Sequence, residues 1–237
     1  MRSSFKAGLF LILGPIVAIV LTSCDMVAPV SYMGALPTPT NTPITGLSPD
    51  MIDDMEDGNT QLMTNQGRNG VWFSYNDASV GGVQLANPFA MGAPGVGYGG
   101  TGTSLYAVHV STNGGFSNWG AGFGLNLTNP QANYDASSHT GIQFYAKNTP
   151  GALVLKFMIQ DNDTINAVPA YSIGGHRLNI NVSSSWTLYQ TTLANMAAQP
   201  NDYGGPTTFD PTRLQQFQWA VPASTTTDVW IDNLAFY

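Results

Sequence analysis

Three separate segments of this chain keep a strict two-residue rhythm of apolar and polar side chains, and that rhythm limits the fold more than any other feature. In GIQFYAK, Ile142, Phe144 and Ala146 alternate with Gln143, Tyr145 and Lys147. In LVLKFMIQ, Leu153, Leu155, Phe157 and Ile159 alternate with Val154, Lys156, Met158 and Gln160. In QQFQWAV, Phe217, Trp219 and Val221 alternate with Gln216, Gln218 and Ala220. Successive side chains of a strand point to opposite faces, so each segment offers one apolar face to a core and sends the other set away from it. Clusters of Gly, Asn, Ser and Thr cut the remaining sequence into short segments about ten residues apart, the pattern of an all-β sandwich or jelly roll. SSWTLYQTTL, Ser184 to Leu193, reads as a further strand with Trp186 and Leu188 inward. DVWIDNLAFY, Asp228 to Tyr237, reads as a last strand tied into a sheet. Only TTLANMAAQ, Thr191 to Gln199, reads as helical, and it is short.

The first 49 residues follow different rules. Arg2 and Lys6 precede an apolar run from Ala7 to Leu21 with Pro15 inside it. The run is too short for a comfortable membrane span and suits a secretory signal. It ends in LTSC, Leu21 to Cys24, which resembles the lipobox of bacterial lipoproteins, so residues 1–23 read as a signal peptide. The resemblance implies that Cys24 becomes the first mature residue and carries lipid. Cys24 is the only cysteine, so no intramolecular disulfide exists, and lipidation accounts for an unpaired thiol in an exported protein. Asp25 after that cysteine resembles an inner-membrane retention signal of some Gram-negative bacteria. Residues 24–49 carry Pro29, Pro37, Pro39, Pro43 and Pro49 among threonines, the composition of an extended, semi-rigid tether. Residues 50–237 are then one domain, large enough to be stable without disulfides.

Charge excludes one class of partner. Loss of residues 1–23 removes Arg2 and Lys6 from the 7 bases and none of the 14 acids, so 5 bases face 14 acids. Such a domain is a poor nucleic-acid binder, because phosphate contacts need clustered Lys and Arg. Four acids crowd into MIDDMEDGN: Asp53, Asp54, Glu56 and Asp57. They are a solvated strand start with an Asp57-Gly58 turn, a cation site, or a catalytic set. QDNDT, Gln160 to Thr164, is a second cluster, suited to sugar hydroxyls, to a cation, or to plain turn chemistry. Catalysis finds little support: no G-x-S-x-G elbow or H-E-x-x-H motif occurs, and neither Asp161 with Asp163 nor Asp54 with Glu56, the acid pairs close in sequence, stands in a glycosidase motif.

The order IDDMEDGN, GRNGVWFSYND, FSNWGAGFGLNL, YDASSHTGIQFYAK, SSWTLYQTTL, FDPTRLQQFQW, VWIDNLAFY resembles the galactose-binding-like β-sandwich domains of bacterial extracellular proteins. Within that fold it resembles the glucan-binding carbohydrate-binding modules. The resemblance spans about residues 50–237. It implies first and last strands side by side, often sharing a structural calcium, and a sugar bound on a concave sheet face or at edge loops. Calcium takes six to eight oxygens, and Asp54, Glu56 and Asp232 are the carboxylates to supply the charged part.

Sugars are held by rings that stack on their C–H faces and by amides and charges that bond their hydroxyls. Gln143, Tyr145, Lys156, Gln160 and Gln218 are of those types and are expected on one shared face, with Asp161 at a strand end. Trp119, in a glycine-rich loop, and Trp72 and Tyr75, in VWFSYND, are expected to reach the same site. The competing reading is an ordinary solvated sheet face. Trp186 and Trp219 share the apolar phase and are expected in the core, and His176 with Arg177 lines a site or bonds locally. The functional expectation is a lipid-anchored, non-catalytic glycan-binding lipoprotein of the bacterial cell envelope. The alternative is an assembly lipoprotein whose sandwich binds another envelope protein, and behind both stands an unrecognised hydrolase or lyase.

Overall fold

The computed structural model describes residues 50–85, 106–166, 175–197 and 208–237, so the leader, Cys24 and the tether lie outside the described residues. In chain order the strands are β1 (Met51–Asp53), β2 (Trp72–Asn76), β3 (Gln84–Leu85), β4 (Val108–Asn113), β5 (Ala121–Asn126) and β6 (Gly141–Asn148). There follow β7 (Leu153–Asp161), β8 (His176–Val182), β9 (Thr187–Thr192), β10 (Leu214–Val221) and β11 (Thr226–Phe236). Two one-turn helices, α1 (Asn162–Asn166) and α2 (Leu193–Ala197), close the ends of β7 and β9. All strand pairings are antiparallel. The first sheet runs β3-β4-β11-β6-β9, with β1 also paired to β11; the second runs β2-β5-β10-β7-β8. Met51 lies opposite Ala235, so the first and last strands are neighbours.

The rhythmic segments behave as their period requires. Ile142, Phe144 and Ala146 of β6 face Leu155, Phe157 and Ile159 of β7 and Phe217 and Trp219 of β10 across the layer between the sheets, all essentially inaccessible. Trp219 is the centre of this core. Its ring stacks on Phe123 at 5.5 Å and on Trp72 at 5.7 Å, and Phe144 of the other sheet meets it edge-on at 5.3 Å. Truncating one such ring costs about 3–5 kcal/mol, because the void cannot collapse.

The structure corrects the phase of β9. Tyr189, not Leu188, packs on the core, with its ring 6.0 Å from Phe144. Leu188 opposes Tyr145 and is exposed, and Trp186 lies before the strand, outside the core. The segment T-L-Y-Q-T-T has an apolar residue in both phases, so alternation alone leaves its facing undecided.

Candidate functional site

The outer face of the second sheet gathers the side chains that can bind a ligand. Register sets them in rows across five strands. One row is Phe73, Gly124, Gln218, Met158 and Arg177; the next is Tyr75, Gly122, Ala220, Lys156 and Asn179. The two glycines matter because their neighbours use the vacancy. A Cβ on Gly122 would stand 2.3 Å from the Tyr75 ring, and one on Gly124 would stand 3.0 Å from Phe73. Both rings therefore reach across bare backbone of β5 instead of standing up from the edge strand. Beside them Trp119 packs its ring 5.7 Å from Tyr75 and is 41% exposed.

A chain of amides holds this platform. The Tyr75 hydroxyl donates to Gln218 Oε1 at 2.8 Å. Gln218 Nε2 donates to Gln160 Oε1 and to Gln216 Oε1, both at 2.8 Å, and Gln216 Nε2 donates to Asn126 Oδ1 at 2.7 Å. Gln160 and Gln218 are themselves buried, so they fix Tyr75 and Gln216, which are half-buried and face outward. Ordering a glutamine costs about 1.5–2 kcal/mol of rotamer entropy. Spending that cost during folding leaves less to lose when a ligand binds.

The loop that presents Trp119 has its own clamp. Asp77 Oδ2 accepts from the backbone amides of Asn118 at 3.0 Å and Gly120 at 2.9 Å, on either side of the ring, and Oδ1 accepts from Ser79 N at 3.0 Å. Desolvation pushes the Asp77 carboxyl up, but hydrogen bonds from Ser79, Gly120 and Asn118 outweigh it and hold it below the usual carboxylate range.

Of the residues expected to share one face, Lys156, Gln160 and Gln218 do so, with Tyr75 and Trp119 beside them. Gln143 and Tyr145 do not. They sit on β6, in the first sheet, and point away from the core on the opposite side of the sandwich. Gln143 accepts from Gln190 Nε2 at 2.8 Å there. Identical alternation in three strands says nothing about which sheet each strand joins. Trp72 packs into the core against Trp219 instead of reaching this face. Asp161 also falls outside the face. It is fully buried, its Oδ1 accepts from Thr164 N at 2.8 Å, and its Oδ2 accepts from Asp210 N at 2.9 Å, so it ties α1 to the loop before β10. Sequence reasoning missed Phe73 and the two glycines. The signal was present in A-G-F-G-L-N, where Gly at alternate positions strips one face of a strand.

The opening acids do other work. Asp53 is buried; its Oδ2 accepts from Trp72 Nε1 at 2.6 Å and its Oδ1 from Met55 N at 3.0 Å. Burial, outweighing those two bonds, raises its pKa to about 8, with the charges of Asp57 and Asp54 adding to the rise. Asp54 and Asp57 accept from the amides of Glu56 and Asn59, each two residues on, and Asp232 Oδ1 accepts from Asn233 N. Among the described residues no group of three or more His, Cys, Asp or Glu side chains is arranged to hold a metal ion, so Asp54, Glu56 and Asp232 do not make a site by themselves.

A cavity of about 570 Å³ lies elsewhere, among Asp50, Gln66, Asn133, Tyr134, Asp135 and His139. His139 Nδ1 stands 3.3 Å from Asp50, and the buried Arg68 donates to Tyr134 Oη at 2.6 Å. In its wall Tyr134 is 9% exposed, and the His139 ring stacks on Phe236 at 4.3 Å.

No protein-family model matches the chain, and no curated protein matches it by sequence. Solved structures do share the fold. A family 11 carbohydrate-binding module from Clostridium thermocellum, in complex with a β-1,3-1,4-mixed-linked tetrasaccharide, is 18% identical and has a TM-score of 0.52; the match covers 79% of this chain and 94% of that one. The family 11 module of a cellulosomal cellulase of the same organism is 18% identical with a TM-score of 0.49, over 78% of this chain and 92% of that one. An exo-β-agarase is 14% identical with a TM-score of 0.49, over 79% of this chain and 24% of that one. The chain is thus an antiparallel β-sandwich of the architecture used by carbohydrate-binding modules.

Proposed function

We propose that the domain is a non-catalytic glycan-binding module whose binding surface is the outer face of the second sheet. The observation that carries this is the Tyr75 ring, laid across Gly122, locked through its hydroxyl to Gln218 and flanked by the exposed Trp119. Sugar rings offer C–H faces to such a platform, while Gln216, Asn126, Lys156 and Arg177 lie within reach of the hydroxyls at its border. The shared fold with a module that binds a mixed-linked β-glucan fragment supports the reading, and a β-glucan is the first ligand to try.

Retention on insoluble polysaccharides and on a glycan array tests it. Wild-type protein is expected to bind, and Tyr75→Ala, melting normally, is expected to lose binding. Equal binding by Tyr75→Ala would sink the assigned surface. Binding to no glycan would return the chain to the assembly-protein alternative, and release of reducing sugar would revive a hydrolase. Lipid anchoring through Cys24, presentation on the tether and residence in the cell envelope belong to the same proposal; Cys24→Ser with cell fractionation tests them, and unchanged membrane retention would remove the anchor. A structural calcium near Asp54, Glu56 and Asp232 would need backbone carbonyls to complete its shell. Melting curves with calcium and with a chelator test that ion, and no shift would remove it.

A further inference from the structure

Trp119 differs from the other tryptophans of the domain. Trp72 and Trp219 stack in the core, and Lys147 stands over the rings of Trp186 and Trp230. Trp119 is 41% exposed, and its ring meets that of Tyr75 at 5.7 Å and 38°. An exposed indole leaves apolar surface in water, which opposes folding. The loop that carries it is nevertheless firmly bonded. Ser117 N donates to Ser79 Oγ at 3.0 Å, and Asn118 N and Gly120 N donate to Asp77 Oδ2 at 3.0 and 2.9 Å. Asp77 N donates back to the Gly120 carbonyl at 2.9 Å. The amides on both sides of the ring are thus tied to one short turn.

That turn holds itself in an unfavourable shape to make these bonds. Ala78, between Asp77 and Ser79, has a φ of 54°, the left-handed region that a residue with a Cβ adopts at a cost. Asn76 Oδ1 accepts from Ala78 N at 3.0 Å, and Asp77 Oδ1 accepts from Ser79 N at 3.0 Å. Strain of this kind persists where the surroundings over-determine it, and it gathers at functional sites. At the far end of the loop a Cβ on Gly120 would stand 2.3 Å from the Val221 carbonyl oxygen, so the chain lies directly on the backbone of β10. Both oxygens of Asp77 are engaged by N–H groups. The residue therefore acts on a ligand only through what it holds.

Resting on the glycan reading above, we propose that Asp77 is a positioning residue of the glycan surface: it fixes the Trp119 indole in its binding pose before a sugar arrives, and affinity depends on it although it touches no sugar. A ring already fixed loses little conformational freedom on binding, whereas a loose one must be ordered by the ligand. What Asp77 supplies is an acceptor for two loop amides.

The test is titration of the full chain with soluble mixed-linkage β-glucan or, if another polysaccharide retains the wild type better, with that one. Asp77→Ala is expected to weaken binding about tenfold, with a small fall in melting temperature. Asp77→Asn, whose side-chain oxygen can still accept from Asn118 N and Gly120 N, is expected to bind within about threefold of wild type. In a Trp119→Ala background, Asp77→Ala is expected to add nothing, because the two changes remove the same contact. The indole N–H resonance missing from Trp119→Ala is expected to move in Asp77→Ala while those of Trp72 and Trp219 stay. Wild-type affinity in Asp77→Ala overturns the positioning role and leaves the glycan surface standing. An equal loss with and without Trp119 overturns it too, because Asp77 then acts on something else. If Trp119→Ala binds too weakly to measure, the indole resonance decides, and an unmoved one overturns the proposal. If no polysaccharide binds the wild type, the glycan reading falls and this inference falls with it. Should Asp77→Ala not fold, Ser79→Ala, which frees Ser117 N in the same loop, takes its place: a loss that disappears without Trp119 supports the proposal, and an unchanged affinity overturns it.

Discussion

On the outer face of the first sheet, His109, Trp230 and Lys147 lie side by side across three strands, with Trp186 just before β9 beside them, and they occupy one another. The His109 ring stacks on Trp230 at 3.8 Å, Lys147 Nζ stands 5.1 Å from Trp230 and 4.6 Å from Trp186, and His109 Nε2 meets Asp228. On the outer face of the second sheet, Phe73, Tyr75 and Trp119 lie over or beside glycine, with hydrogen-bonding amides behind them and cations at a distance along the row. Both faces hold aromatic rings, amides and bases. The difference is whether the cations cover the rings. A cation over a ring face satisfies both and contributes about 0.5–1 kcal/mol to stability. The Tyr75 ring is held instead by its hydroxyl bond to Gln218 and by Trp119. Residue type alone therefore does not identify a binding surface; the company each ring keeps does.

Both faces depend on the core that Asp53 enters, and its titration is expected to give the largest effect on stability. Its raised pKa means that the folded state holds a proton that the unfolded state has released between about pH 4 and 8. Stability from this group is therefore fullest in acid and falls as pH rises through that window, by up to about 1.4 kcal/mol per unit, then levels off. Asp53→Asn is expected to flatten that slope in denaturant melts from pH 5 to 8, for both faces alike. Asp77, with its lowered pKa, acts in the opposite sense: its contribution is present above the usual carboxylate range and is lost as pH falls below it.

The comparison of faces is sharpened by swapping truncations. Tyr75→Ala is expected to weaken glycan retention at least tenfold, about 1.4 kcal/mol, with little change in melting. Trp230→Ala is expected to do the reverse, lowering the melting temperature with retention intact. A Trp230→Ala protein that loses retention would break the distinction between the two surfaces. Gly122→Ala is a subtler probe. The new methyl displaces the Tyr75 ring and its bond to Gln218, so retention should fall several-fold while the backbone of β5 stays in place. An unchanged affinity would show that the laid-down pose of Tyr75 is not needed. Smallest is Lys147→Ala, which uncovers two tryptophans. It is expected to cost about 1 kcal/mol, a fall of about 2–4 °C, without affecting retention.

Much of the sandwich was legible in advance because period two and apolar burial are local properties. β6, β7 and β10 fall where alternation put them, β11 covers the segment read as the last strand, and the short helix predicted at 191–199 is α2. Tyr75, Trp119, Lys156, Gln160 and Gln218 were named from residue type and come together on one side. The reading failed where two strands had to be compared. Gln143 and Tyr145 have the right chemistry and the wrong sheet; Asp161 stands at the strand end as expected but points inward and is consumed by Thr164 and Asp210.

The sequence by itself determined that β6, β7 and β10 each have one buried and one outward face, and that acids outnumber bases. It did so because side-chain direction in a strand depends only on parity along the chain. Only the tertiary structure decided which outward faces meet. Strand order comes from long-range pairing, β10 between β5 and β7 and β6 between β11 and β9, and no local pattern encodes it. That order places Gly122 beside Tyr75, Gln218 beside Gln160 and Arg177 diagonal to Lys156, and so makes a platform from residues that the chain spaces as much as 145 positions apart, Phe73 to Gln218.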